Sequence, residues 1–202
     1  MDAGGSFRAW AILAGLVISG GTAAAEKSAF FVENAGSVTD GCLDVGTREL
    51  QFSCHRIESG VGTVVALRLY KRSWKTDGAS FRKMTVYLPA NLKAGDQLSL
   101  DDGVARVFFS RGSSAFAGKR GCYGRAESGE VEVLSLTRKM IAIRVSAPIP
   151  LSSPLGFPKE CPGAENVDMV IRAVPAQLAG LGAWEGRPGP TDSPFDEANP
   201  TN

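Results

Sequence analysis

The chain has 202 residues, 44% of them hydrophobic, and its 22 Lys and Arg nearly balance its 21 Asp and Glu, leaving a formal charge of +1. Such a balance excludes bulk electrostatic attraction to nucleic acid or membrane as the working principle. The apolar share excludes a wholly disordered chain, and the length is sufficient for one domain with a real core.

Residues 1–25 follow the order of a cleavable secretory signal. Arg8 and the amino terminus open it, an apolar run extends from Ala9 to Ile18, Gly20 and Gly21 break it, and Ala23, Ala24 and Ala25 precede Glu26. The run is shorter than the roughly 20 residues a membrane span requires. No Cys stands at the cleavage point to carry a lipid, and no later stretch is apolar enough to span a bilayer. The expected product is exported, periplasmic or extracellular. Residues 26–180 are expected to form a single β domain and 181–202 a disordered tail, interrupted by Pro188, Pro190, Pro194 and Pro200.

Period-two alternation, the signature of strands with one buried side, recurs along the domain. Leu50, Phe52 and Cys54 share a face in 49–57, and Val65, Leu67 and Leu69 share one in 63–71, opposite Arg68 and Tyr70. Ala105, Val107 and Phe109 oppose Val104, Arg106 and Phe108; Val131 and Val133 oppose Glu130 and Glu132; Ile141, Ile143 and Val145 oppose Ala142 and Arg144. A weaker alternation runs through 167–174. Turn chemistry separates these runs. Ser59, Gly60 and Gly62 divide the first two, Asp102-Gly103 predicts a hairpin between 98–100 and 104–109, and Thr137-Arg138-Lys139 divides 130–136 from 140–147. The Gly/Ser-rich segment 110–129 reads as a long loop. Residues 175–183 are the one candidate for a short helix, weakened by two glycines. The fold class is therefore all-β: an antiparallel sandwich or barrel.

Four cysteines, Cys42, Cys54, Cys122 and Cys161, all follow the signal. An even count in an exported chain points to two disulfides, and spacing alone leaves three pairings open. Cys42–Cys54 with Cys122–Cys161 is favoured because each pair joins neighbouring parts of the chain. Structural zinc is disfavoured, since no close Cys pair exists and His55 is the only histidine.

No catalytic constellation emerges. His55 has no G-x-S-x-G partner motif. Asp101-Asp102, the obvious carboxylate pair for glycosidic hydrolysis, falls in the predicted turn, where carboxylates ordinarily cap backbone N–H groups. Gly112 to Lys119 fails as a phosphate loop: five residues instead of four separate Gly112 from Gly118, and Arg120 stands where Ser or Thr is needed. No cofactor is expected.

One charge asymmetry is basic. Arg68, Lys71, Arg72, Lys75, Arg82 and Lys83 face a single Asp77 within 68–83, with Trp74 among them, and Lys119, Arg120 and Arg125 accompany Tyr123. Residue parity groups Arg68, Arg72 and Arg82 on one face and Lys71, Lys75 and Lys83 on the other, with a turn at Thr76-Asp77-Gly78. Solvated lysines also protect strand edges from pairing. As a binding surface, Lys71, Arg72, Trp74, Lys75, Lys119, Arg120 and Tyr123 suit an anionic envelope component or an acidic protein. Nucleic acid is excluded as a partner by export.

The stretch 84–100, MTVYLPANLKAGDQLSL, with GVARVFFS (103–110) and SGEVEVLSLTRKMIAIRV (128–145), resembles exported bacterial β-sandwich domains of unknown function. The shared features are a strand ending in Leu-Pro, a glycine-then-strand step and a closing hairpin opened by Ser-Gly. The Gly-Thr-Phe that opens the last strand of such domains is replaced by Met140–Val145. The resemblance implies a fold class and an envelope setting, and no activity. The expected role is a non-catalytic binding or structural domain; the alternatives are a secreted hydrolase acting through carboxylates and a secreted factor directed at another organism.

Overall fold

The computed structural model of the chain describes residues 26–44, 52–73, 78–115, 118–152, 161 and 163–177. The expected signal at 1–25, Leu50, Trp74, Lys75 and the expected tail at 181–202 lie outside the described residues, as do the side chains of Cys42, Cys54, His55, Lys71, Arg72, Lys119 and Arg120. Among the described residues there is no helix. Nine strands, β1 (Glu26–Asp44), β2 (Phe52–Ser73), β3 (Gly78–Leu88), β4 (Gln97–Ser99), β5 (Arg106–Ala115), β6 (Gly118–Arg125), β7 (Glu130–Thr137), β8 (Met140–Pro150) and β9 (Ala164–Pro175), form one sheet. Its spatial order is β4-β7-β8-β9-β1-β2-β3-β5-β6.

This sheet is folded over on itself. Arg111 of β5 donates to Glu165 of β9 over 3.1 Å, although three strands separate β5 from β9 in the order. In a flat sheet, four strand spacings would hold those strands roughly 19 Å apart. One layer is therefore β1, β2, β3, β5 and β6, the other β4, β7, β8 and β9. Between them lies the main core, with Val65, Leu67, Met84, Val86, Val107 and Phe109 from the first layer and Val131, Val133, Ile141, Ile143, Val145 and Ile171 from the second. Of the one-sided burial predicted for 130–133 and 141–145, the inward set holds, with Val131, Val133, Ile141, Ile143 and Val145 fully buried and Glu130 and Arg144 facing water, whereas Ala142 on the opposite face is also buried. The all-β class is as expected.

The layers join at two places. On one side the sheet is continuous through a parallel contact of two residue pairs, Phe30↔Val174 and Phe31↔Pro175, extended by Ala176 N–H donating to the Phe31 carbonyl at 2.8 Å. Parallel pairing here departs from the purely antiparallel expectation. On the other side β6 is stitched to the segment after β8. Tyr123 and Ser152 exchange backbone hydrogen bonds of 2.9 and 2.8 Å, and Cys122 is bonded to Cys161 across 39 residues of chain. Gly124 permits the approach, because a Cβ there would lie 1.9 Å from the Pro150 carbonyl oxygen.

Four expectations are corrected. The described part of the run 49–57, from Phe52 onward, and the run 63–71 belong to one strand, β2, because Ser59 to Gly62 form a register irregularity against β1, not a chain reversal: Ala35 pairs with both Ser59 and Gly62. Val61 bulges out, 78% exposed, Asn34 takes a left-handed φ of 57°, and Gly36 and Gly60 touch backbone to backbone. An insertion of this kind bends a two-stranded ribbon.

Asp102-Gly103 does turn the chain, with Gly103 at φ 73° and Gly103 N–H on the Leu100 carbonyl, but it makes no hairpin. β4 pairs with β7 and β5 with β3, so the turn carries the chain from one layer to the other. The predicted loop 110–129 is largely strand: β5 and β6 pair from Phe108↔Arg125 to Ala115↔Gly118. Backbone pairing suffices for a strand whose Gly and Ser side chains show no alternation. Lastly, 175–177 are not helical, Pro175 ending β9; the rest of that segment lies outside the described residues. Thr137 caps the β7–β8 turn as expected, its Oγ1 accepting from Met140 N–H at 3.0 Å.

Closure at Gly124 is testable. Gly124→Ala drives a methyl group into the Pro150 carbonyl and is expected to cost about 3 kcal/mol. Gly103→Asn occupies open space at a φ that Asn tolerates and is expected to cost less than about 1 kcal/mol. Urea unfolding midpoints of the two variants check the contrast.

Candidate functional site

The four strands β2, β3, β5 and β6 form a ribbon whose register is unbroken from one end to the other. Residues in one cross-strand row share a face. On the face turned to the other layer, the row Leu67–Met84–Phe109–Gly124 is followed, two residues outward, by Leu69–Arg82–Arg111–Cys122 and then by Lys71–Ser80–Ser113–Arg120. The surface thus passes from core apolar groups to cations within one pleat repeat. Facing it is the start of β9. Glu165 receives Arg111 at 3.1 Å and Arg82 at 3.6 Å. Arg82 and Glu165 also line a cavity of about 140 Å³, together with the apolar Leu67, Leu69, Met84, Phe109, Val167 and Met169 and the polar Lys83, Asn166 and Asp168; Arg111 reaches it through Glu165.

The opposite face of the ribbon carries the row Ser28–Arg68–Lys83–Ser110–Tyr123. It is polar, yet Arg68 is 2% and Lys83 8% exposed. Beside it run Phe30, Ala66, Thr85 and Phe108, all buried. A second apolar cluster, Phe30, Val32, Ala35, Ile57, Val64 and Ala66, occupies this face, with Ile57 contributed from beyond the β1–β2 irregularity. Arg106 stacks over Tyr87 at 4.4 Å and Arg125 over Phe108 at 5.7 Å. The other layer is different: its outer face is solvated, and Arg144 grips Asp168 through two hydrogen bonds of 3.0 and 3.1 Å. That contact holds the Asp168 carboxyl below its ordinary range.

The register corrects the parity grouping of the cations. Arg68 pairs with Lys83, while Arg82 pairs with Leu69, two residues from Lys71 on the same face. A residue's face relative to another strand depends on the length of the intervening turn, so odd and even numbers are not comparable across it. Register also unites what lay far apart in sequence: Lys71 and Arg120 belong to one row, Arg72 and Lys119 to the next. Tyr123 lies at the other end of this pairing, partly exposed, with its backbone on Ser152.

Asp101 and Asp102 hold their turn, as the spacing predicts. Asp102 accepts from Val104 N–H at 3.0 Å, and Asp101 accepts from the Ser99 hydroxyl at 3.2 Å. Sequence reading missed Arg111 and Glu165. They stand 54 residues apart, and neither sits in a motif. The favoured Cys122–Cys161 pairing is present. Cys42 and Cys54 stand on paired strands next to the partners Leu43↔Ser53. Among the described residues, no group of three or more His, Cys, Asp or Glu is placed to hold a metal ion, and no helix is long and apolar enough to cross a membrane. Compared with protein-family models, curated proteins and solved structures, the chain matches none.

Burial, and secondarily the Arg68 charge, lower the Lys83 pKa from 10.5 to about 8. Between those values the unfolded chain binds a proton at Lys83 that the folded chain does not, so stability rises with pH across that window. The full excursion is roughly 3 kcal/mol. Wild-type stability, measured by urea unfolding relative to Lys83→Met, is expected to increase from pH 8 to 10.5. Parallel pH profiles for the two proteins would contradict this account of Lys83.

Proposed function

We propose that the chain is an exported, non-catalytic binding domain of the cell envelope, in the manner of the exported bacterial β-sandwich domains its central segment resembles. Its ligand surface is the far end of the β2–β3–β5–β6 ribbon, and its partner is an anionic component of the envelope. The observation that supports this reading is the register, which puts Lys71 and Arg120 in one row, two residues beyond Arg82 and Arg111 on the same face, and Arg72 with Lys119 in the next row, on the opposite face of the ribbon end. Six cations from four strands surround this end of the ribbon, four on one face and two on the other, and give a local positive field that the overall charge of +1 conceals. The disulfide Cys122–Cys161 fits an oxidising compartment. Hydrolysis through carboxylates gains no support from Asp101 and Asp102, which are engaged in the turn.

Sedimentation with vesicles tests the reading. The protein is expected to pellet with phosphatidylglycerol vesicles at low salt, to release them as salt shortens the screening length, and to ignore phosphatidylcholine. Replacing Lys71, Arg72, Lys119 and Arg120 with alanine is expected to abolish sedimentation. Binding by that variant equal to wild type, or binding insensitive to salt, would remove this surface from consideration.

A further inference from the structure

The cleft between the layers is a different kind of site from the cationic surface outside it. Native interiors pack densely and leave few voids larger than a water molecule. Here a cavity of about 140 Å³ opens at one end of the main core. Its apolar lining comes from both layers, Leu67, Leu69, Met84 and Phe109 from the ribbon and Val167 and Met169 from β9, and the polar residues Arg82, Lys83, Glu165, Asn166 and Asp168 complete it. An apolar chamber of about 150 Å³ is large enough to admit a benzene ring.

The mouth has the opposite chemistry. Two guanidinium groups, Arg82 and Arg111, share one carboxylate, Glu165, at 3.6 and 3.1 Å. Each guanidinium offers five N–H donors in a planar fork, so one carboxylate leaves most of them open to a second anion. Arg111 is 27% and Arg82 55% exposed, close enough to solvent for an entering ligand to reach them. The step from floor to rim is one pleat repeat, from the Met84–Phe109 row to the Arg82–Arg111 row, or roughly 7 Å. A chain of roughly five or six carbons ending in a carboxylate covers that span.

We propose that this cleft binds small amphipathic carboxylates, with Arg111 and Arg82 holding the carboxylate at the mouth and the cavity between Phe109 and Met169 taking the apolar end. Glu165 occupies the anion position in the empty state. It competes with the ligand for the two arginines and repels it, so its removal tightens binding. This site goes beyond the envelope-binding reading and uses none of the four residues that test it.

The probe is hexanoate, followed through the methyl resonances of Met84 and Met169 in the full, oxidised chain. Hexanoate is expected to shift both methyls to saturation, and acetate, which lacks the tail, to leave them unmoved. Arg111→Met is expected to weaken hexanoate about tenfold or more, the scale of a lost charge-assisted pair. Glu165→Gln is expected to bind hexanoate several-fold more tightly than wild type, a gain that misfolding cannot imitate. The variant lacking Lys71, Arg72, Lys119 and Arg120 is expected to bind hexanoate as wild type does, so failure of the vesicle experiment and failure of this one are separable. Absence of saturable methyl shifts in the wild type, or equal affinities for wild type, Arg111→Met and Glu165→Gln, would overturn the proposal.

Discussion

The stitch between β6 and the β8–β9 connection is the constraint on which the rest of the structure depends. A nine-stranded sheet with a continuous order has no intrinsic reason to bury one face against itself. Here the fold-over is secured at both sides, by the two parallel pairs of β1 and β9 and by the Tyr123–Ser152 bonds with the Cys122–Cys161 bridge. The second contact is the more demanding. It needs a glycine at 124, where any side chain would meet the Pro150 carbonyl, and a cysteine at 122, the cross-strand partner of Arg111. By the chain-entropy account, a bridge across 39 residues stabilises by about 4 kcal/mol. That is a large fraction of the net stability of an ordinary domain.

The position of the site follows from that closure. Cys161 is tied to the ribbon four residues before Glu165, so the carboxylate is delivered opposite Arg82 and Arg111 by the same bond that closes the fold. The cavity lies where the facing rows change from apolar to cationic before the layers have separated. The two outer faces are also unequal. That of β7–β8–β9 is an ordinary solvated surface with an exposed Arg144–Asp168 pair. That of the ribbon is buried at its centre, including the adjacent cations Arg68 and Lys83. Burying like charges side by side opposes folding, and lowering the Lys83 pKa reduces the opposition by making the neutral amine accessible.

Much of the second layer was legible in the sequence because its burial is one-sided. Val131, Val133, Ile141, Ile143 and Val145 alternate with polar groups or the small Ala142, and a period of two is all such strands need to declare themselves. The ribbon was less legible for three reasons. Its centre is buried on both faces, so Arg68 and Lys83 read as solvated when they are not. Its far end is Gly and Ser, which pair by backbone alone and leave no side-chain pattern. Ser59 to Gly62 carry turn residues but serve as a bulge, since composition marks where regular pairing fails and not how the chain continues. Asp102-Gly103 shows the same limit: it specified a reversal of the chain, and not which strand would be met afterwards. The candidate site divides in the same way. The clustering of cations near 68–83 was visible locally, whereas the Arg111–Glu165 contact exists only through the fold-over, 54 residues apart.

Amide hydrogen exchange at the stitch tests this account most directly. In the oxidised protein, the amides of Tyr123 and Ser152 are expected to be protected through their mutual bonds. In the Cys122→Ala, Cys161→Ala variant, their protection is expected to fall first and furthest, while Val133, Ile143 and Ile171 in the second layer keep theirs. Unchanged protection at Tyr123 and Ser152 in that variant, or a uniform loss across both layers, would contradict the claim that this single contact closes the fold and positions the site.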